Sequence, residues 1–243
     1  MAGINPSYLL FQSRLFPLLP YLIYEAGKIS KTGPKLSPQS EKVFLAGQEQ
    51  SILILGESTA AGVGASAAGF TLSSYLHQLF LEKYSFYNLG KNGIRVGEVL
   101  PHFKSDLAEL NSTKEGILLF LGANDCFKLT NPSAFYKSLQ SLVASLQTQF
   151  EPKWIYLADI PPVHLFPAFS SLMKSYLYRQ REFLRNEMKK LASKNNRLIF
   201  QEISLDLVPD FFSTDGIHPS DLGYQKIAEF TYEGIKEYLQ GEE

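Results

Sequence analysis

Five short apolar segments alternate with helical segments along most of the chain, and this alternation constrains the fold more than any other feature. The apolar segments occupy residues 51–56, 85–90, 116–122, 153–160 and 197–203. Helical spacing is found over residues 68–84, 96–110 and 132–150, and again from about 170 and from 220. Strands that are apolar along their whole length are typical of parallel sheets covered on both faces. The pattern therefore predicts an α/β domain with helices on both faces of a parallel sheet.

The overall composition argues against several classes of function. The chain has 243 residues, which fits one α/β domain, and its formal net charge of −1 gives no indication of nucleic-acid binding. Its single cysteine, Cys126, excludes an internal disulfide and a multi-cysteine metal site. The GxGxxG pattern of dinucleotide-binding loops is absent, because "GVGAS" lacks the third glycine. We therefore expect neither a metal nor an organic cofactor.

The N-terminal segment differs in composition from the rest of the chain. Residues 6–24 are rich in Leu, Phe and Tyr, but Arg14 interrupts them, and Pro17 and Pro20 would break a helix. This argues against a membrane-spanning helix, and no convincing cleavable signal is present, so we expect a cytoplasmic protein. One interpretation of this segment is an arm packed on the domain. The alternative is a segment in peripheral contact with a membrane surface or with an acyl substrate.

A polar stretch with Gly and Pro punctuation follows at residues 28–42 and is typical of a linker. The regular alternation of strands and helices begins only after it. We therefore predict an apolar arm and polar linker over residues 1–48 and one α/β domain over residues 49–243.

Polar residues come directly after several of the predicted strands. Ser58 follows the first strand, Gly93 the second and Asn124 the third, while Asp215 and His218 lie between the fifth strand and the last helix. Sheets of this kind place their ligand sites just beyond the carboxyl ends of the strands. We therefore expect these five residues to converge on one site.

These residue types fit acyl transfer through a serine nucleophile. In the spacing Asp-x-x-His, the carboxylate of Asp215 can hydrogen-bond one imidazole nitrogen of His218 and leave the other free as a base. Ser58 could then be activated by that base, and Gly93 and Asn124 could donate to an oxyanion. Each feature alone also has an ordinary interpretation: a turn with an Asp cap, a surface histidine, a turn glycine and a loop-capping asparagine.

Four sequence blocks together resemble the SGNH, or GDSL-like, hydrolase superfamily. They are "GEST" at 56–59, "NLGKNG" at 88–93, "GAND" at 122–125 and "DGIHP" at 215–219, in the family order and each in the loop where the family has it. Further similarity, in "GESTAAGVGAS" and "ADIPPVHLFPAF", is to the bacterial branch described as lipases and acylhydrolases.

The resemblance implies a three-layer α/β/α flavodoxin-like domain with a five-stranded parallel sheet of order 2-1-3-4-5. It implies ester hydrolysis without a metal, through an acyl-enzyme. Position by position, Ser58 corresponds to the nucleophile, His218 to the base and Asp215 to its orienting acid. The backbone N–H groups of Ser58 and Gly93, with the side chain of Asn124, correspond to the oxyanion hole.

The chain departs from the family pattern at one position and leaves the substrate open. Glu57 stands where the family usually has Asp. The apolar residues 162–173 and the N-terminal arm could line an acyl channel, which favours lipid or other acyl esters as substrates. The alternatives are a carbohydrate O-acetylesterase and a catalytically silent binding domain, with Glu57 marking the loss of activity.

Overall fold

A computed structural model of the chain describes residues 6–48, 50–110, 113–205 and 208–239. The strands are β1 Lys42–Leu45, β2 Ser51–Gly56, β3 Ser85–Gly90, β4 Gly116–Phe120, β5 Trp154–Ala158 and β6 Leu198–Gln201. The helices are α1 Pro6–Leu15, α2 Leu19–Thr32, α3 Leu72–Leu79, α4 Val99–His102, α5 Lys104–Glu109, α6 Ala123–Phe127, α7 Pro132–Phe150, α8 Ser171–Ala192 and α9 Asp221–Leu239.

All five apolar segments form strands of one sheet, so the predicted α/β class is confirmed. The predicted number of five strands needs correction, because the sheet has six strands in the order β1-β3-β2-β4-β5-β6. Within this order the five predicted strands, β2 to β6, keep the predicted relative order 2-1-3-4-5. The five apolar strands are parallel to one another, and β1 is added at the edge beside β3 in antiparallel orientation. β1 alternates between exposed and partly buried residues, as an edge strand does, and its apolar run of Val43, Phe44 and Leu45 is short.

The parallel strands are buried on both faces because their side chains alternate between two cores. Leu53 and Leu55 of β2 point into one apolar core, which α4, α5, α7 and α8 cover. Ile52 and Ile54 point into the other, which α3 and α9 cover. The molecule is therefore a three-layer α/β/α sandwich, with the loops after β2, β3 and β4 gathered at one edge of the sheet.

The small residues that follow Ser58 are required by packing. Ala60 and Ala61 are fully buried. A Cβ added to Gly90, at the end of β3, would lie only 2.2 Å from the Ala61 backbone nitrogen, so only glycine allows this approach. The Asn88 side chain also donates to the Ala60 carbonyl at 2.9 Å. The loop after β2 is thus held directly against β3.

The N-terminal segment is mostly helical, and the expectation that its prolines would break a helix is confirmed at Pro17 and wrong at Pro20. Pro17 lies in a short 3₁₀ turn between α1 and α2, and Pro20 lies in the first turn of α2, where its missing N–H has no helical partner to lose. α2 continues to Thr32, so the first part of the predicted linker is helix. The sheet itself begins at Lys42, before residue 49, which was the predicted start of the domain. Within the described residues, none of the helices has the length and apolar content needed to cross a bilayer.

A buried ion cluster joins β5, α8 and the segment after β6. The side chain of Asp159 is completely buried and accepts from Arg181 at 3.1 Å and from Arg185 at 2.8 Å. The backbone N–H of Ile203 donates to the same carboxylate at 3.2 Å. Arg181 also donates to the carbonyl of Ile160 at 2.8 Å. Arg181 and Arg185 also pair with the more exposed Glu182 and Glu202, so Asp159 is the buried centre of the cluster.

We expect the substitution Asp159→Ala to lower the free energy of unfolding by about 3–5 kcal/mol, because it removes the completely buried carboxylate and leaves Arg181 and Arg185 only partners that are more exposed. Urea unfolding followed by circular dichroism measures the change. The matched control is Glu233→Ala, which removes the exposed partner of Lys236 and should leave the stability nearly unchanged. Equal losses of unfolding free energy in the two variants would show that the buried Asp159 cluster stabilises the fold no more than an exposed ion pair.

Candidate active site

Asp215 and His218 form a hydrogen-bonded pair in the loop before α9. The Asp215 Oδ2 lies 2.6 Å from the His218 Nδ1, and Asp215 Oδ1 accepts from the backbone N–H groups of Ile217 and His218 at 2.9 and 3.0 Å. Burial by itself would raise the pKa of Asp215, but the hydrogen bonds from His218 and Ile217 hold it below its ordinary value. The carboxylate is therefore ionised and accepts from Nδ1–H, which leaves the lone pair of the imidazole on Nε2.

The loop that carries Ser58 packs against the loop that carries His218. A Cβ added to Gly64 would lie 2.4 Å from the Pro219 carbonyl oxygen and 3.0 Å from the His218 Cβ, so the two loops touch at a glycine. The Ser66 hydroxyl donates to Asp221 at 2.6 Å, and the Tyr224 hydroxyl donates to the Val63 carbonyl at 2.7 Å. These contacts link the beginning of α9 to the segment after β2.

Ser58, Asn124 and His218 line one cavity of about 230 Å³. Asn92, which precedes Gly93, lines it as well. Three of the sequence-predicted residues, each following a different strand, therefore meet at the carboxyl ends of the strands, and the segment after β3 contributes Asn92 rather than Gly93 to the lining. Gly93 itself is exposed and adopts a φ of 82°, in the region that favours glycine.

Glu57 holds the loop after β4 in place. Its Oε1 accepts from the backbone N–H of Ala123 at 2.9 Å. Its Oε2 accepts from the backbone N–H of Asn124 at 3.0 Å and from the Asn124 side-chain amide at 2.7 Å. The Glu57 backbone N–H donates to the Phe120 carbonyl at 3.0 Å. The residue next to Ser58 thus fixes the orientation of the Asn124 side chain.

The carboxyl group of Glu57 is buried, and burial raises its pKa to about 7 against the lowering effect of the three N–H donors. The nearby carboxylate of Asp125 raises it further. Near neutral pH a substantial fraction of the molecules therefore carries a neutral carboxyl at this position.

A second, apolar cavity of about 480 Å³ lies beside the first. The two cavities share Asn92, Phe127, Ile217 and His218 as lining residues, so they are adjacent at the histidine. One wall is formed by the N-terminal helices and the other by α6 and α8. The apolar side chains that line it are Leu15, Leu19, Leu22, Ile23, Ala26, Ile29, Pro34, Leu36, Val63, Phe127, Leu129, Phe169, Met173, Tyr176, Leu177 and Ile217.

Two features of the site were not predicted from the sequence. The sequence identifies Glu57 only as a departure from the family pattern. Its contact with Asn124 could not be predicted, because the two residues are far apart in the chain. The wall formed by α2 was only suggested by the apolar character of residues 6–24. Cys126, by contrast, is a fully buried thiol whose pKa burial raises well above its ordinary value, consistent with a packing role.

Comparison with known proteins identifies the family. The model of the GDSL-like Lipase/Acylhydrolase family matches residues 54–226, which is most of the chain. The protein therefore belongs to this family, whose members hydrolyse carboxylic esters. A search of curated proteins gives no significant match.

Several solved structures share the fold at low sequence identity. The psychrotrophic esterase EstA from Pseudoalteromonas sp., in a structure inhibited by monoethylphosphonate, is 21% identical with a TM-score of 0.61, covering 79% of this chain and 100% of EstA. A family 3 carbohydrate esterase from Clostridium thermocellum is also 21% identical, with a TM-score of 0.61 and coverages of 79% and 98%. The hydrolase LAE5 from the metagenome of Lake Arreo, Spain, is 17% identical, with a TM-score of 0.60 and coverages of 79% and 97%.

The raised pKa of Glu57 predicts a pH dependence of stability. Unfolded Glu57 ionises near pH 4.5 and folded Glu57 near pH 7, so between these values the folded state holds a proton that the unfolded state has lost. The stability that the folded state gains from holding this proton is fully present below pH 4.5 and is lost as pH rises through 7. Over this range the wild type should lose about 3 kcal/mol of unfolding free energy relative to Glu57→Gln, which cannot titrate.

Urea unfolding of both proteins at a series of pH values from 4.5 to 8 tests this expectation. The control variant is Glu237→Gln, which changes an exposed carboxyl on α9 and should follow the wild-type curve. Parallel curves for the wild type and Glu57→Gln would mean that the Glu57 carboxyl ionises at the same pH in the folded and unfolded chains.

Proposed function

We propose that this protein is a serine esterase in which Ser58, His218 and Asp215 form a catalytic triad. The observation that carries the proposal is the Asp215–His218 hydrogen bond of 2.6 Å at the edge of a cavity that Ser58 also lines. A histidine fixed in this tautomer has its basic nitrogen available for a hydroxyl proton. Membership of a lipase and acylhydrolase family agrees with this chemistry.

In the proposed reaction, Ser58 Oγ attacks the acyl carbonyl carbon of an ester while His218 Nε2 takes the hydroxyl proton. The tetrahedral intermediate collapses, the bond to the leaving alcohol breaks, and His218 returns the proton to that oxygen. The acyl group remains on Ser58. Water then attacks the acyl-enzyme with His218 again as the base, which releases the carboxylic acid and restores the serine.

The developing oxyanion would accept from the backbone N–H groups of Ser58 and Gly93 and from the Asn124 side chain. The Asn124 amide has two hydrogens, and one of them is donated to Glu57, so the other remains for the substrate. Each such donor contributes about 3–4 kcal/mol to lowering the barrier. The raised pKa of Glu57 also reduces the negative charge beside the oxyanion.

The apolar cavity next to His218 favours lipid or other long acyl esters as substrates. Its wall is built from aliphatic and aromatic side chains of α2, α6 and α8, and it is about twice the volume of the cavity at Ser58. An acyl chain bound there would bury apolar surface, which is the main source of affinity for such a ligand. The acetyl group that a carbohydrate O-acetylesterase removes would fill only a small part of this volume.

Reaction with a fluorophosphonate probe tests the nucleophile directly. We expect the wild type to be labelled on Ser58, as shown by peptide mass spectrometry. Ser58→Ala should not be labelled and should lose at least about 1,000-fold in kcat on an aryl ester. Ser213→Ala, which changes a serine in the His218 loop, should keep both labelling and activity. Absence of labelling in well-folded wild-type protein would favour a catalytically silent binding domain.

Aryl esters of increasing acyl length, from acetyl to dodecanoyl, test the substrate class. We expect kcat/KM to rise with chain length. Ala26→Trp, which fills the apolar cavity from α2, should lower kcat/KM for the dodecanoyl ester about tenfold while sparing the acetyl ester.

The neighbouring substitution Gly27→Trp is the matched control, because Gly27 does not line the cavity and a side chain added there would meet open space. It should leave the chain-length profile unchanged. Activity confined to acetyl esters in the wild type would instead support the O-acetylesterase alternative.

A further inference from the structure

The N-terminal helices expose an unusual concentration of large apolar side chains. Thirteen large hydrophobic residues are exposed among the described residues, and six of them lie in α1, α2 or the turn between them. These six form the set that we call the arm patch: Leu9, Leu10, Phe16, Tyr21, Ile23 and Tyr24. The other seven are spread over residues 44–238. Such a concentration on one element marks an interaction surface.

The arm patch is exposed although the helix that carries part of it is firmly attached. Tyr8, Phe11 and Leu15 of α1 are buried, and the first two pack against Phe183 with ring centroids 5.1 and 5.5 Å away. The opposite side of α1 carries Leu9 and Leu10. The exposed side chains are therefore presented by an anchored scaffold.

The exposure is greatest where the chain turns between α1 and α2 and at the middle of α2. Phe16 is 75% exposed, Ile23 67% and Tyr24 69%. Aromatic rings with a polar edge, such as those of Tyr21 and Tyr24, are enriched where proteins meet the boundary between lipid headgroups and hydrocarbon.

The charges around the arm patch select the partner. Residues 6–35 contain Arg14, Lys28, Lys31 and Lys35 and one acidic residue, Glu25, whereas the whole chain has a formal net charge of −1. Glu25 is turned toward the domain, where it accepts from the Ser170 hydroxyl at 2.7 Å. Apolar side chains flanked by basic ones are the pattern that binds an anionic lipid surface.

We propose that α1 and α2 dock on the surface of an anionic lipid bilayer through the arm patch and its flanking basic residues. The helices lie in the interface and do not cross it. Ile23 of the arm patch also lines the apolar cavity beside His218, together with Leu22 and Ile29 of the same helix, so the patch and the cavity adjoin. Docking itself does not depend on the proposed esterase activity, but if that activity is correct, the acyl cavity opens beside the lipid that supplies its substrate.

Sedimentation with vesicles tests docking apart from catalysis. The protein is the full chain with Ser58→Ala, so that no lipid is consumed. The vesicles are phosphatidylcholine alone and an equal mixture of phosphatidylcholine and phosphatidylglycerol. We expect the mixed vesicles to bind the protein at least about tenfold more strongly than phosphatidylcholine alone, and the difference to shrink as salt is added.

Substitutions in the arm identify the surface. The triple variant Leu10→Ser, Phe16→Ser, Tyr24→Ser should lose at least about tenfold in binding to the mixed vesicles. The matched control replaces three apolar residues of similar total exposure elsewhere, Leu81→Ser, Tyr178→Ser and Tyr238→Ser, and should bind as before.

The same arm triple variant, made with Ser58 restored, should hydrolyse a water-soluble acetyl ester at the wild-type rate, because none of its three residues lines either cavity. This separates loss of docking from loss of folding. Replacing the exposed basic residues by Arg14→Gln, Lys28→Gln and Lys31→Gln should reduce binding to the mixed vesicles and leave binding to phosphatidylcholine unchanged.

Three results would overturn the proposal. The first is failure of the Ser58→Ala protein to bind mixed vesicles. The second is an equal loss of binding in the arm and control triple variants. The third is a concentration-dependent dimer that the arm triple variant abolishes, measured by analytical ultracentrifugation, because a second copy of the chain would then be the occupant of the patch. Inactivity on esters with normal vesicle binding would count against the esterase and leave docking intact.

Discussion

The buried carboxyl of Glu57 connects the two strand ends on which the rest of the site depends. It directly follows β2 and precedes Ser58, and it accepts hydrogen bonds from three N–H groups in the first turn of α6, which follows β4. A carboxyl group removed from water is stable only when its oxygens are satisfied, and here the donors come from Ala123 and Asn124. The relative position of Ser58 and Asn124 is therefore fixed by hydrogen bonds whose loss would leave the buried Glu57 carboxyl without donors.

The same edge of the sheet is closed from the other side by the loop before α9. Gly64 allows the Ser58 loop to touch Pro219 and His218, and Asp215 fixes the imidazole ring of His218 through a hydrogen bond at Nδ1. Rigid parallel strands thus present three loops, and polar contacts between the loops set the orientation of the side chains. The N-terminal helices then add an apolar wall that the sheet alone does not provide.

Much of this arrangement could be predicted from the chain. Buried parallel strands need uninterrupted apolar runs, so residues 51–56 and the four later runs were recognisable as strands. Loops after such strands meet at one edge, which made Ser58, Asn124 and His218 candidates for one site. β1 was not predicted because its apolar run of residues 43–45 is short and directly follows the polar stretch that was interpreted as a linker. Helix α2 was not predicted because Pro20 was expected to break a helix, whereas proline is tolerated in the first turn of a helix.

The sequence by itself determined the layered α/β architecture and the set of polar residues at the strand ends, because both follow from local periodicity and from the geometry of parallel sheets. Only the tertiary structure decided that Glu57 orients Asn124, that α2 forms a wall of the apolar cavity, and that the arm patch faces outward. Each of these depends on contacts between segments distant in the chain, and local propensity carries no information about which distant groups will meet.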